Sequence, residues 1–187
     1  MNLKPSKKAH ESCYPFMYEE SAKCDFEILT DELCRKVGGV ISNFDCDLIH
    51  IKEELEYLQP LIYHLNGSIR GKLAIFQEDL DWLLKKTTDH NEMVKDAFST
   101  FILPRGKNPV PALNSCSSMS KHIIRVMTKI QREEGIDVPE ILSVFTNVLC
   151  NYFFILTVVI NKSRDEEEIP FISKSYKPYK LKRPNKE

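Results

Sequence analysis

No glycine occurs among the first 37 residues, and the whole chain of 187 contains six. Only glycine lets successive backbone N–H groups close on phosphate oxygens, so a glycine-rich phosphate loop is excluded from that end. The six cysteines, Cys13, Cys24, Cys34, Cys46, Cys116 and Cys150, form no C-x-x-C pair and no Cys/His cluster at zinc spacing. They read as reduced thiols of an intracellular protein. His50 and His64 are not spaced i, i+4 and have no companion ligand, so no metal site is expected. With 26 Lys and Arg against 27 Asp and Glu, the net charge of -1 leaves no global field for nucleic acid or an anionic membrane. Nucleic acid is therefore not an expected partner. Lys4, Lys7 and Lys8 lead into no apolar signal core, and Glu11, Glu19 and Glu20 are acids that a transit peptide avoids. A cytoplasmic location is expected ahead of a mitochondrial one. No segment alternates with period two between hairpin turns, and no repeat of fixed period is present.

What is there is helical periodicity. Residues 1–25 mix Lys, Pro, Tyr and Glu without it and read as an irregular N-terminal arm. From Asp25 to Ser42, Ile28, Leu33, Val37, Val40 and Ile41 predict a first helix, with Thr30 as N-cap and Asp31 and Glu32 in its acidic first turn. Between Cys46 and Ile69, apolar residues recur at three and four, predicting a second helix with Pro60 inside it and Asn66-Gly67 as its stop. Leu73, Phe76, Leu80, Leu83 and Leu84 predict a third helix over Leu73 to Lys86. The run from Phe101 to Pro111 holds three prolines and a glycine and must be extended or turned. A fourth helix is predicted over Ser115 to Arg132, ended by Gly135, and a fifth over Glu140 to Asn161, opened by Pro139. The expected fold is an all-α five-helix bundle with up-down packing over residues 26–163, followed by a charged, basic tail over 164–187.

Three motifs, in order, resemble the PduO-type ATP:cob(I)alamin adenosyltransferases over residues 25 to 172, roughly four-fifths of the chain. Thr30-Asp31-Glu32-Leu33 with Gly38, then Glu53-Glu54-Leu55 to Gln59, resemble that family's D-E-L-x-x-x-x-G and E-E-L…Q helices. Phe101-Ile102-Leu103-Pro104 matches its F-I-L-P turn, with Ala112-Leu113 at the family's distance. Asn147, Leu149, Tyr152, Phe153 and Phe154 resemble its N-R-L-S-D-Y-x-F helix. The resemblance implies transfer of adenosine from ATP to reduced corrinoid at clefts between the subunits of a homotrimer. The family's glycine-rich T-x-x-G-D-x-G loop has no counterpart. Its R-x-x-x-R-R-x-E-R run stands as Ser117, Lys121, His122, Ile124 and Arg125, and its last-helix arginine and aspartate as Val148 and Asn151. Ser117 cannot replace the arginine that in the family pairs with the D-E-L aspartate.

The residues left for function are few. Asp31 is either a surviving site carboxylate or a first-turn helix residue. Phe101 corresponds to the phenylalanine that in the family lies under the corrin, and as a Phe at a bundle turn it is expected in the core. Lys121, His122, Arg125 and Asn147 are either the residue of a nucleotide site or a solvated face. Ile141 to Asn161 carries no charge over 21 residues, long enough for a membrane span, but Asn147 and Asn151 favour a helix packed on protein. The tail, with Lys174, Lys177, Lys180, Lys182, Arg183 and Lys186 among tyrosines and prolines, reads either as a docking segment or as solvated chain. The expectation is a non-catalytic, adenosyltransferase-like interaction or structural module that meets protein partners through its arms and bundle surface and needs no cofactor. The alternative is a corrinoid adenosyltransferase with an altered nucleotide site, for which ATP, magnesium and cobalamin would be required.

Overall fold

The computed structural model describes residue 4, residues 6–45 and residues 47–175. After a single 3-10 turn at Ala9–Glu11, five helices follow: α1 (Ala22–Ser42), α2 (Ile49–Ser68), α3 (Gln77–Met93), α4 (Val110–Glu133) and α5 (Glu140–Ser163). Among the described residues there is no strand. The helix α1 packs between α2 and α4, and α5 packs between α4 and α3 while touching α2. Helical periodicity makes this arrangement. In α1, residues Phe26, Leu33, Val37 and Val40 fall on one stripe and are buried, as are Ile51, Leu55, Leu58, Ile62 and Leu65 in α2.

The central helix is α5. It is long and apolar enough to cross a membrane, and 67% of its apolar window is buried inside the bundle. Leu142, Phe145, Leu149, Tyr152, Phe153, Leu156 and Ile160 all lie in the core, because α5 has neighbours on several sides. Asn147 and Asn151, whose polarity suggested contact with protein, instead occupy its exposed side.

Helix α1 begins earlier than its sequence suggests. Its N-cap is Ser21, whose hydroxyl accepts from the Lys23 N–H. Glu134, just past α4, reaches the same end: its carboxylate accepts from Ser21 Oγ and from the Ala22 N–H, each at 2.6 Å. Thr30 is therefore no cap. It lies mid-helix, fully buried, with Oγ1 donating to the Phe26 carbonyl at 2.8 Å. Asp31 accordingly has no first-turn role.

The third helix starts four residues later than expected and continues to Met93. Asp79 fixes that start by accepting from the Phe76 N–H at 2.9 Å. Only Leu80 and Leu83 of the expected stripe are buried; Leu73, Phe76 and Leu84 face outward. Helix α4 begins at Val110 rather than Ser115, since Pro111 fits a first turn whose N–H has no helical partner. It ends where Gly135 takes φ +66°.

The connection before α4 is tied to the segment after α5. Leu103 N–H donates to Ile169 O at 2.8 Å and Phe171 N–H to Phe101 O at 2.7 Å, with Ile102 and Pro170 facing each other as an isolated antiparallel bridge. Arg164 donates to Asn108 O at 2.6 Å, and Lys107 pairs with Glu166 at 2.8 Å. Gly106 is required in this connection: at φ +153°, any Cβ there would collide with Asn161 Oδ1 and the Val110 side chain. The basic residues Lys177, Lys180, Lys182, Arg183 and Lys186 lie outside the described residues.

Candidate functional site

Asp31 projects from the outer side of α1, where its partners come from its own chain. Arg35, one turn on, donates through Nε to Oδ2 at 2.6 Å, and Tyr63 of α2 donates its hydroxyl to Oδ1 at 2.8 Å. The Arg35 hydrogen bond, reinforced by Tyr63, holds the Asp31 carboxyl below its usual range. Beside it opens a cleft of about 480 Å³, lined by Tyr14, Met17, Ile28, Asp31, Arg35 and Tyr63 among others. A second cleft of about 470 Å³ lies between α1 and the start of α4, with Lys36, Asn43, Asn108 and Ser115 on its walls.

The other residues singled out from the sequence do not join Asp31. Ser117 turns inward and donates to the Cys150 carbonyl of α5 at 2.9 Å, closing the α4–α5 contact. Lys121, His122 and Arg125 stand on the exposed side of α4. Among the described residues, none of these three has a carboxylate within ion-pair distance. Asn147 spends its amide on the Ser143 carbonyl of its own helix at 2.8 Å. None of the four lines the cleft beside Asp31. Phe101 is 62% exposed, so the core position expected for it is not where it lies. The extended pairing of residues 101–103 with 169–171 holds its backbone at the surface and leaves its ring in solvent.

A more tightly bound group of polar residues sits inside the bundle. Glu54 of α2 is buried, and three donors converge on its carboxylate: Lys86 Nζ at 2.9 Å, His90 Nε2 at 2.7 Å and Tyr152 Oη at 3.0 Å. Burial pushes the Glu54 pKa up, but the bonds from His90, Lys86 and Tyr152 outweigh it and bring it down to about 2. Burial, with Glu54 beside it, raises Tyr152 well above the usual phenol range. An ionised Glu54 can only accept, so His90 carries its proton on Nε2. His90 Nδ1 is buried without a partner, and the His50 ring stacks on His90 at 6.0 Å between centroids. The cluster joins α2, α3 and α5 and opens into neither of the two clefts. Its sequence signal was the place of Glu54 on the apolar stripe between Ile51 and Leu58, with His90 seven residues beyond Leu83.

No protein-family model and no curated protein matches the sequence. Solved structures do. A variant PduO-type ATP:corrinoid adenosyltransferase from Lactobacillus reuteri, complexed with cobalamin and ATP, superposes with a TM-score of 0.75 at 21% identity, over 88% of this chain and 89% of that one. The chain has the fold of the PduO-type adenosyltransferases. A second variant of the same enzyme, complexed with ATP, gives 0.75 at 22% identity over 83% and 90% of the two chains. A third, with cobalamin and ATP, gives 0.73 at 22% over 84% and 90%. On this adenosyltransferase-type bundle, α1, α4 and α5 carry the positions compared above. Of these, Asp31 lines the cleft beside Tyr63, and neither the α4 cations nor Phe101 does.

Proposed function

We propose that this protein is a non-catalytic member of the adenosyltransferase-type bundles that serves as an interaction or structural module in a larger assembly. The observation that carries this reading is the pairing of Asp31 with Arg35 and Tyr63 of its own chain, while Ser117 of α4 is committed to the Cys150 carbonyl. Asp31 thus takes a guanidinium and a phenol hydroxyl from its own chain, while Ser117 supplies no charge to pair with it. Nor does the chain offer a glycine-rich phosphate loop, since no glycine precedes Gly38, and Lys121, His122 and Arg125 do not line the cleft beside Asp31. Partners would meet the bundle surface and the two arms.

Isothermal calorimetry of the intact protein against ATP with magnesium, and against cobalamin, tests this directly. No heat of binding is expected with ATP. Adenosylation of reduced corrinoid at a rate of the adenosyltransferases' order would overturn the reading.

The exposure of Phe101 supports the alternative, a corrinoid adenosyltransferase with an altered nucleotide site. A ring that is 62% exposed at the F-I-L-P turn is free to lie against a flat apolar substrate such as the corrin. In that case cobalamin binds without ATP, and Phe101→Ala weakens the binding.

A further inference from the structure

The segment before α1 is laid against the α1–α2 face. Two tight turns shape it, with Met17 N–H donating to Tyr14 O at 3.3 Å and Glu19 N–H to Phe16 O at 3.0 Å. Its hold on the bundle converges on one guanidinium. Arg70, just past α2, forks onto the buried Glu27 carboxylate of α1 through Nε at 2.8 Å and Nη2 at 2.6 Å. The remaining arm of the same guanidinium, Nη1, pairs with Glu19 at 2.8 Å, and the Phe16 ring lies over its face at 4.1 Å. Tyr14 sits against the same centre, where burial and then the Glu27 carboxylate raise its phenol pKa. Beyond the Arg70 contacts and Tyr14 the segment is open to solvent: Phe16, Met17 and Tyr18 are 44%, 38% and 45% exposed. Cys13, Tyr14 and Met17 nevertheless form one wall of the cleft whose other wall is Ile28, Asp31 and Tyr63.

We propose that residues 13–19 are a strap latched by Arg70, and that its release opens the α1–α2 cleft beside Asp31. The contacts divide into two classes. The Arg70–Glu27 fork is internal to the bundle and stays in place when the strap leaves. The Glu19 pair and the Phe16 stacking are partly solvated, and each biases the closed state only modestly, so the strap detaches without unfolding a helix. Detachment removes Cys13, Tyr14 and Met17 as one wall of the cleft and leaves Ile28 and Tyr63, already 40% and 49% exposed, open on that side. The inference rests on the bundle alone and holds whether or not the chain is catalytic.

Amide hydrogen exchange of the intact protein tests it, with Glu19→Gln and Phe16→Ala as the variants. Arg70 is left untouched, because its loss would strand the buried Glu27 and destabilise the fold. Each variant is expected to speed exchange across residues 13–20 by about three- to tenfold, leaving α1, α2 and the melting temperature unchanged. Raising salt to about 1 M should speed the same segment in the wild type and have little effect in Glu19→Gln. The double variant should bind the dye 8-anilinonaphthalene-1-sulfonate more strongly, reporting the opened cleft. Unaltered exchange in both variants overturns the proposal, as does acceleration spread equally through α1 and α2, which would mean general loosening.

Discussion

Asp31 and Glu54 are carboxylates on neighbouring helices, each met by a cation and a tyrosine hydroxyl, yet they belong to different kinds of structure. Asp31 takes Arg35 from the next turn and Tyr63 from α2, in reach of water. Glu54 takes Lys86 and His90 from α3 and Tyr152 from α5, in the core. The same chemistry is worth little where solvent can replace it and much where removal leaves buried donors unanswered. The surface carboxylate marks where a family's chemistry would be sought; the buried one joins three helices.

Four measurements bear on that contrast. Glu54→Ala should have the largest effect, about 3–5 kcal/mol in denaturant unfolding, since it abandons His90 and Tyr152 in the core. Acid should act on the same group. The folded pKa of Glu54 is about 2 against an ordinary 4.5, so its contribution is complete above about 4.5 and is lost as pH falls toward 2. Stability curves from pH 6 down to 2 should fall by about 3 kcal/mol more in the wild type than in Glu54→Gln. Tyr152→Phe, which removes one donor and leaves two, is expected to cost about 1–2 kcal/mol without changing the helical signal. Asp31→Asn should be the mildest, moving the melting temperature by no more than about 2 °C. If Asp31→Asn instead matched Glu54→Ala, the division between surface and core carboxylates would fail.

Much of the fold was legible because buried stripes at three and four residues are a local property. They marked α2 and α5 closely, and α1 and α4 apart from their starts. What was misread depended on distant residues. Thr30-Asp31-Glu32 has the composition of a cap, but Ser21 fills that office with help from Glu134, more than a hundred residues away. Leu73 and Phe76 continue an apolar pattern into α3, yet the chain there is extended, and Asp79 sets the helix start. Phe101 looked like core because an aromatic at a bundle turn usually is, and its exposure follows from pairing with residues beyond α5. The Glu54 cluster escaped notice for the same reason: its donors lie 32, 36 and 98 positions along the chain. The residues at the compared positions on α4 and α5, by contrast, are local, and the structure adds that Lys121, His122, Arg125 and Asn151 are exposed while Ser117 and Val148 are buried.

The Glu134 contact at the start of α1 has one more consequence. The first turn of a helix, with its unpaired N–H groups and positive dipole end, is a ready place for an anion. In this protein the anion is already present and covalently part of the chain. Its bonds to Ser21 and Ala22 hold the Glu134 carboxyl below the usual range, so it is charged at neutral pH. A phosphate approaching the first turn of α1 would have to evict a carboxylate whose effective concentration never falls, and would meet its repulsion on the way in.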